Sequence, residues 1–408
     1  MSELPYRIPE TSPERPPSQE KHVSLLGRLI LIFGFILLVA VSATFTPQLA
    51  KQIAYSWNIG AERAKADVAK QFLEENPLSG QRIALVAKAV APSVVEVHVI
   101  SSPLPEGLDT RRSDPLTLET DLGSGIIIDA QKGHVLTNYH VIENAHIIKV
   151  LLKDGREIDA VVVGADRMVD FAVLQIDAED LEAISWGDSR QVTVGDQVVA
   201  IGSPYGFQQT VTSGIISATE RYITLPVPRG ARRGARPFPH EFLQTDAAIN
   251  RGNSGGALVD MNGKLIGICT SVLAAESGGN SGIGFAIPSF KAKKIYEEII
   301  LHGTVKHGWI GAELDEVTLF EARQMNQKMP MGATIRMFSR SGGSPARDAG
   351  LQRGDVILRW GETNINNPLQ LIHIITLTTP GTTETVEVFR QGEVLRFDVT
   401  VGTRPMDL

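Results

Sequence analysis

Residues 250–258 read NRGNSGGAL, and this stretch decides how the rest of the chain is interpreted. Ser254 lies close to three glycines, Gly252, Gly255 and Gly256. Glycine allows unusual backbone dihedral angles, and its missing Cβ lets N–H groups converge on one substrate oxygen. Because a serine hydroxyl is a weak nucleophile at neutral pH, the stretch is catalytic only if a general base and an orienting acid lie close to it.

Two candidate partners precede Ser254 along the chain. His140 lies in residues 137–142, TNYHVI, and Asp170 lies in residues 166–174, DRMVDFAVL. Alone, a glycine-rich turn, a histidine after a strand and an aspartate beside a strand each have an ordinary structural explanation. Combined, a histidine as general base and an aspartate to orient it supply what the serine lacks. The three motifs therefore predict a serine hydrolase, provided that the fold brings them together.

The G-x-S-x-G pattern at residues 252–256 is compatible with two folds. In an α/β-hydrolase the serine joins a strand to a long helix, and the acid and the histidine follow it. Here both candidates come before the serine, and residues 257–269 indicate a β-hairpin around residues 261–264. The order His, Asp, Ser favours a chymotrypsin-type double barrel, and an esterase of the α/β-hydrolase type is the weaker alternative.

The composition limits the remaining classes of protein. The 408 residues carry 39 Lys and Arg against 46 Asp and Glu, a net charge of −7 that argues against nucleic acid as a main partner. Charged residues make up 21% and hydrophobic residues 43%, which excludes a mostly disordered chain. Cys269 is the one cysteine, so neither an intrachain disulfide nor a Cys-x-x-Cys metal site can form.

The N-terminal region differs from the rest of the chain. Residues 1–21 are polar and contain prolines, and we expect a disordered cytoplasmic tail over residues 1–28. Residues 29–50 carry no formal charge and, at about 1.5 Å per helical residue, are long enough for a transmembrane helix. A cleavable signal peptide is the alternative, although its n-region would be long. Residues 51–82 are expected to form a juxtamembrane stalk, with a charged amphipathic helix over residues 61–76 and a trimeric coiled coil left open.

Residues 83–303 change to short β-like runs separated by turns, which are typical of a barrel or sandwich. One helix is predicted over residues 290–301, capped by Ser289 and ended by Gly303. A domain boundary follows, and residues 308–403 are expected to form a second, smaller unit of mixed strands and helices. The strand-like runs are residues 94–100, 125–129, 146–152, 160–163, 172–176, 197–201 and 264–269.

Four stretches of the first unit closely resemble, in the right order, the HtrA (Deg) family of serine proteases. They are TNYHVI at residues 137–142, DFAVLQI at 170–176, QTDAAINRGNSGGALVD at 244–260 and SGIGFAIP at 281–288. The resemblance covers the chain from about Ile83 to the C-terminus. It implies a mostly β fold, with a chymotrypsin-like protease domain of two six-stranded β-barrels and the catalytic triad in the cleft between them.

The resemblance also implies roles for individual residues. Ser254 would be the nucleophile, and His140 the general base and then the acid that protonates the leaving amine. Asp170 would orient the imidazole and stabilise its charged form. The backbone N–H groups of Gly252 and Ser254 would form the oxyanion hole. No metal and no organic cofactor is implied.

Specificity is expected to depend on residues around the nucleophile. Ala248, Ile249 and Asn250 would help to line the pocket for the substrate residue on the acyl side of the cut. None of them is acidic, so we expect a small apolar pocket that accepts Val or Ala rather than Lys or Arg. Thr270 and Ser271 would pair through their backbone with the extended substrate. The alternative for Ile249 is an ordinary core position.

The C-terminal unit resembles the α+β PDZ domain that follows the protease in this family. The matching stretches are WIGA at residues 309–312 and SPA, AGL and GDVIL within residues 344–358. A PDZ domain adds a peptide C-terminus as a strand to a sheet edge, and backbone N–H groups of a glycine-bearing loop hold the carboxylate. Ile310, Gly311 and Ala312 are the best match to that loop, and an ordinary strand start is the alternative.

One anchor, one protease domain and one PDZ domain resemble the membrane-anchored, regulatory branch of the family. This implies a homotrimer at the bacterial inner membrane, with the catalytic and PDZ domains on the periplasmic side. Its substrates would be unfolded or membrane-bound regulatory proteins, cleaved under envelope stress, and C-terminal peptides at the PDZ domain would regulate it. The alternative function is a chaperone or PDZ scaffold with a latent triad.

Two features depart from the family pattern or have no assigned role. Arg221 matches a regulatory arginine that relays PDZ occupancy to the oxyanion loop, but Glu220 stands where family members usually carry Gly. Residues 222–240 are unusually basic, either as a solvated loop or as a regulatory contact with a neighbouring subunit, an acidic partner or lipid headgroups. The role of the polar insertion at residues 101–121 stays open.

Overall fold

The computed structural model describes residues 58–73, 81–101, 120–203, 209–224, 239–250, 252–270, 282–339 and 343–405. Within these ranges no helix is long and apolar enough to cross a membrane. The expected tail and anchor, most of the polar insertion and most of the basic segment lie outside the described residues. The chain from Asn58 to Leu408 is one compact unit.

The first barrel is built from six antiparallel strands. They are β1 (Val94–Ser101), β2 (Thr120–Asp129), β3 (His134–Thr137), β4 (Ala145–Leu151), β5 (Glu157–Asp166) and β6 (Phe171–Ile176). The strands close in the order β1-β2-β3-β6-β5-β4, because β1 also pairs with β4. Val97, Ile127 and Leu174 are fully buried inside, where β-branched and leucine side chains fit the pleated surface.

The second barrel repeats this architecture. Its strands are β7 (Gln197–Gly202), β8 (Thr210–Thr224), β9 (Pro239–Thr245), β10 (Ala257–Asp260), β11 (Leu265–Thr270) and β12 (Gly284–Pro288). They close in the order β10-β11-β12-β9-β8-β7. The predicted hairpin after the serine is present as β10 and β11. The expectation of a mostly β protease domain with two six-stranded barrels is confirmed.

In the described part of the chain, four α-helices accompany the barrels: α1 (residues 58–73), α2 (Arg82–Val90), α3 (Tyr139–Ile142) and α4 (Ser289–His302). α1 buries Ala66, Ala69 and Leu73 against the protease domain. Its Arg63 also pairs with Asp180 at 2.9 Å. The described part of the expected stalk is therefore a helix that packs on the protease domain.

The expectation that β-like structure begins at about residue 83 is wrong, because α2 occupies Arg82–Val90. The side chain of Gln81 makes no capping hydrogen bond, so the helix has no local start signal. It forms because Val86, Ala89 and Val90 lie on one face and pack into the core shared by both barrels. Tertiary packing here overrides a short and ambiguous apolar run.

Ser289 does not cap α4, contrary to the prediction, because it is the first helical residue and its side chain is used elsewhere. Its hydroxyl donates to the carbonyl of Gly187 at 2.9 Å and accepts from the N–H of Ser189 at 3.2 Å. The predicted end is present, since Gly303 closes the helix with φ of +73°.

The C-terminal unit is an α+β domain. Its strands are β13 (Gly308–Trp309), β14 (Ala312–Asp315), β15 (Ala333–Phe338), β16 (Val356–Trp360), β17 (Thr363–Asn364), β18 (Thr383–Arg390), β19 (Glu393–Thr400) and β20 (Gly402–Thr403), and its helices are α5 (Leu319–Gln324), α6 (Pro345–Asp348) and α7 (Pro368–Leu377). The main sheet has the order β14-β15-β16-β18-β19, so β14 is an edge strand among the described residues. α7 packs against β14 and β15, and also against β8 and β9 of the second barrel.

Candidate active site

α3 and the turn between β5 and β6 bring a histidine and an aspartate into contact. Oδ1 of Asp170 accepts the backbone N–H of His140 at 2.9 Å, and Nδ1 of His140 lies 2.8 Å from Oδ2. Asn138 holds the turn by donating its Nδ2 to the carbonyl of Asp170 at 3.0 Å. The carboxylate therefore orients both the helix start and the ring, and the contact assigns a proton to Nδ1, which leaves Nε2 as the basic nitrogen.

The second barrel contacts the first barrel at Asp170 and at Ser124. Thr270, at the end of β11, donates its hydroxyl to Oδ2 of Asp170 at 3.3 Å. Ser254, before β10, accepts at its carbonyl the N–H of Ser124 from β2, at 2.8 Å. The His140 side chain is 35% exposed and that of Asp170 only 10%. The base is therefore open to the cleft while the acid is shielded from water.

The glycine after the serine is required by space as well as by backbone conformation. Gly255 has φ of +82°, and a Cβ there would lie 2.1 Å from the carbonyl oxygen of Ser124 and 2.5 Å from Oγ1 of Thr137. Its N–H donates to the carbonyl of Cys269 at 2.9 Å. The loop that carries Ser254 is therefore packed tightly against the first barrel.

Cys269 is a packing residue and not a reactive thiol. Burial raises the pKa of its thiol to about 12.

The residues before Ser254 form a tight turn. The N–H of Asn253 donates to the carbonyl of Asn250 at 3.0 Å, and Gly252 between them has φ of +98°. A glycine with positive φ at the third position is typical of a type II turn. The turn rests on the carbonyl of Ala248, which accepts the Thr212 hydroxyl at 2.8 Å and Nδ2 of Asn253 at 3.4 Å.

Ser124 is a structural residue of the site that the sequence analysis missed. It is fully buried, its hydroxyl donates to the carbonyl of Gly252, and the same oxygen accepts the N–H of Ser203 at 2.8 Å. One side chain of the first barrel thus supports the turn before Ser254, which belongs to the second barrel. The signal in the sequence was a serine between two glycines, Gly123 and Gly125. The structure explains these glycines, because a Cβ at either position would lie within 3 Å of valine side chains.

The expected pocket residues occupy different environments. Ile249 is 3% exposed and packs with the second barrel's core, where Gly284 approaches its side chain closely. Ala248 is half-buried and Asn250 is exposed. Thr270 is buried and reaches Asp170 through its side chain, a contact that the sequence did not indicate. Ser271 lies outside the described residues.

The expected carboxylate loop leads directly into the edge strand of the C-terminal sheet. Ile310 is buried, Gly311 has φ of +68°, and Ala312 is the first residue of β14. The carbonyl of Gly311 points into the domain, where it accepts the N–H of Ser339 at 2.8 Å and the hydroxyl of Ser344 at 2.9 Å. The loop therefore immediately precedes β14, an edge strand among the described residues, which is where a PDZ domain would add a peptide.

Arg221 and Glu220 lie on β8, and both are exposed. Arg221 is paired in register with Phe242 of β9. Among the described residues, no group of three or more His, Cys, Asp or Glu side chains is arranged to hold a metal ion.

Comparison with known families agrees with both units. Residues 123–268 match the trypsin-like peptidase domain, and residues 313–401 match the PDZ domain.

Individual relatives extend this similarity. The chain is 38% identical over 353 residues to the periplasmic pH-dependent serine endoprotease DegQ of Escherichia coli (strain K12), covering 84% of this chain and 74% of that protein. It is 44% identical over 276 residues to the periplasmic serine endoprotease DegP of Salmonella typhimurium, covering 67% of this chain. The match spans 55% of that DegP, and 60% of a DegP-like relative from Hahella chejuensis.

Solved structures are similar over nearly their whole length. The HtrA-type protease AlgW with a tripeptide superposes with a TM-score of 0.64 at 38% identity, covering 79% of this chain and 97% of that one. A serine endoprotease from Yersinia pestis gives a TM-score of 0.55 at 35% identity, covering 79% and 98%.

Proposed function

Because the chain belongs to the HtrA (Deg) family of serine proteases, we propose that Ser254, His140 and Asp170 hydrolyse peptide bonds through an acyl-enzyme. The observation that carries this proposal is the Asp170 carboxylate. It holds the backbone N–H and Nδ1 of His140 at 2.9 and 2.8 Å, and Thr270 ties it to the barrel of the serine.

The reaction proceeds in two halves. Nε2 of His140 takes the proton of the Ser254 hydroxyl as the oxygen attacks the scissile carbonyl, and then gives that proton to the leaving amine. Asp170 stabilises the imidazolium that forms between these steps. In the second half, water attacks the acyl-enzyme with the same base, and the serine is regenerated.

The oxyanion that develops on the substrate is assigned to the N–H groups of Gly252 and Ser254. The support is the turn geometry: Gly252 has φ of +98°, and its carbonyl is held by the hydroxyl of buried Ser124. A turn clamped in this way keeps its N–H donors in place during the reaction, which is how preorganised donors lower a barrier. Ala248 and Asn250 flank this turn, and we assign them to the pocket for the substrate residue on the acyl side of the cut, whereas Ile249 packs in the barrel core.

Regulation is assigned to the C-terminal domain. A peptide C-terminus would add to the edge of β14, with its carboxylate on the N–H groups of residues 310–312. α7, which flanks β14, also packs on β8 and β9 of the barrel that carries Ser254. Arg221 on β8 is the proposed relay residue between the two. The substrates proposed are unfolded or membrane-bound regulatory proteins cleaved under envelope stress.

The cellular setting follows from residues 29–50 and from the family. We propose a homotrimer anchored by these residues in the bacterial inner membrane, with both folded domains in the periplasm.

The test is proteolysis of an unfolded model protein by the full chain and by its Ser254→Ala variant. We expect cleavage by the wild type only, faster with a peptide ending in a free hydrophobic carboxylate and unchanged with the amidated peptide. Arg221→Ala is expected to keep basal cleavage and lose the stimulation. Equal degradation by wild type and Ser254→Ala would refute the triad. Absence of cleavage by either, with suppressed aggregation, would favour the chaperone or scaffold alternative.

A further inference from the structure

Lys291 and His373 are buried where the PDZ domain meets the second barrel, and the Glu241 side chain beside them is only 13% exposed. Lys291 of α4 is 5% exposed, and its amine donates to the Glu241 carboxylate of β9 and contacts Nε2 of His373 on α7. His373 is 5% exposed, and its Nε2 lies 3.5 Å from Glu241. We name Glu241, Lys291 and His373 the interdomain clasp. A buried lysine is rare unless it is paired, and here the pairing joins two domains.

The groups around the clasp set its charge. Glu241 also bonds to Tyr222 of β8, whose ring packs edge-on against His373 with the ring centres 5.6 Å apart. Glu220 of β8 and His240 of β9 also act electrostatically on the clasp. One amine contacts one carboxylate, so a neutral His373 completes the set. A protonated His373 would place a second positive charge against Lys291 in a site closed to water.

We propose that the interdomain clasp is a pH-dependent contact, in which His373 must be neutral for α7 to pack on β8 and β9. Acidification then releases the PDZ domain from the protease barrel. The equilibrium between the docked and released PDZ domain does not require catalysis by Ser254, His140 and Asp170. Only the effect of this equilibrium on regulation by peptides rests on the proposed function.

The direction of the pH effect follows from the histidine. Burial, and then the charge of Lys291, lower the pKa of His373 to about 2 in the docked state. Once α7 leaves the barrel, the ring regains an ordinary pKa near 6.5. The released form therefore binds a proton that the docked form excludes, and docking is lost progressively below about pH 6.5. Between pH 7 and pH 5 the ratio of released to docked molecules rises by about 25-fold.

Lys291 contributes in the same direction at higher pH. Burial lowers its pKa to about 8, partly opposed by Glu241. Between about pH 8 and 10 the docked form loses this proton before a solvated lysine would, so rising pH again favours docking. His240 does not oppose this direction, because burial lowers its pKa as well, to about 4.

The clasp lies on a strand that leads to the nucleophile. Glu241 is on β9, which ends at Thr245 and continues into residues 246–254. The Thr245 hydroxyl donates to the carbonyl of Ile215 and accepts the N–H of Ala247, so the end of β9 is held to β8. Release of α7 removes the outer support of this strand pair.

The experiment measures the distance between the domains in the full chain carrying Ser254→Ala, so that no proteolysis intervenes. Fluorophores are attached to cysteines introduced at Val161 on β5 and Val394 on β19, which are 62% and 58% exposed. Cys269 is buried and does not compete for the label. Energy transfer is recorded from pH 7.5 to pH 5. We expect the ratio of released to docked molecules to rise by about 30-fold between pH 7.5 and pH 5.

Two variants and a control decide the assignment. His373→Gln keeps an acceptor for Lys291 without a titratable ring, and it should stay docked at pH 5. Lys291→Met removes the positive charge beside the ring, and its acid response should be smaller than that of the wild type. His302→Gln, on the exposed end of α4, should respond like the wild type.

Wild-type energy transfer that is the same at both pH values, or a His373→Gln response equal to the wild type, would overturn the proposal. Either result would leave the proteolytic mechanism untouched, because the assay contains no catalytic step. Conversely, a failure of the Ser254→Ala comparison in proteolysis would not affect the measured docking.

Discussion

Replacing the orienting acid by its amide, Asp170→Asn, isolates the contact on which the proposed mechanism depends. Asparagine has nearly the same shape as aspartate, so its amide oxygen can still accept the backbone N–H of His140, which lies 2.9 Å from Oδ1 in the wild type. The amide nitrogen then takes the place of Oδ2, which lies 2.8 Å from Nδ1 of His140 and accepts Thr270 at 3.3 Å.

The expected loss of activity follows from the change of a hydrogen-bond acceptor into a donor opposite Nδ1 of His140. An amide N–H₂ facing Nδ1 requires Nδ1 to accept, so the proton moves to Nε2 and the ring can no longer take the proton of Ser254. The negative charge that would stabilise the imidazolium is also lost. A change of this kind lowers kcat by about 10³- to 10⁴-fold, or about 4 to 5.5 kcal/mol in the barrier. Stability should change by only about 1 kcal/mol, since most hydrogen bonds can be kept.

The assay is steady-state cleavage of a fluorogenic peptide, with thermal melting recorded on the same samples. Asp159→Asn is the matched control, because the Asp159 side chain is 86% exposed on the same barrel and should leave kcat unchanged. A kcat reduced by less than about 10-fold in folded Asp170→Asn protein would refute the assigned role of the carboxylate.

Two further substitutions test how the site is assembled. Gly255→Ala would place a Cβ 2.1 Å from the carbonyl oxygen of Ser124, at φ of +82°. We expect the free energy of unfolding, measured by thermal melting, to fall by about 2–4 kcal/mol, and the proteolytic activity to be lost. An unchanged melting temperature would contradict the close approach. Thr270→Val removes the hydroxyl on Asp170, and kcat/KM should fall about 5-fold, the equivalent of about 1 kcal/mol. Thr270→Ser should restore it, and a valine variant as active as wild type would show that the contact is dispensable.

Local patterns predicted much of the β structure. Runs such as residues 94–100 and 172–176 fall within observed strands because β-branched alternation and turn residues act over a few positions. The hairpin after Ser254 and the end of α4 at Gly303 were also predicted, since each depends on local turn or cap chemistry. The errors occurred where distant partners decide.

α2 and Ser289 show the physical reason for those errors. α2 has no capping side chain, and it is a helix because its apolar face packs in the shared core, which includes the distant strand β7. Ser289 looks like a cap, but its hydroxyl is engaged with Gly187 and Ser189, about a hundred residues earlier. Sequence periodicity contains no record of such contacts.

The sequence by itself identified the family and the candidate catalytic residues: the residue types at positions 140, 170 and 254, their order and the glycines around the serine. Only the tertiary structure decided how these groups are held. It placed the Ser124 hydroxyl on the carbonyl of Gly252, Thr270 on the Asp170 carboxylate, and Lys291 between Glu241 and His373 of another domain. The physical reason is that a hydrogen bond depends on distance and direction in space, and residues far apart in the chain acquire these only when the barrels close and the domains dock.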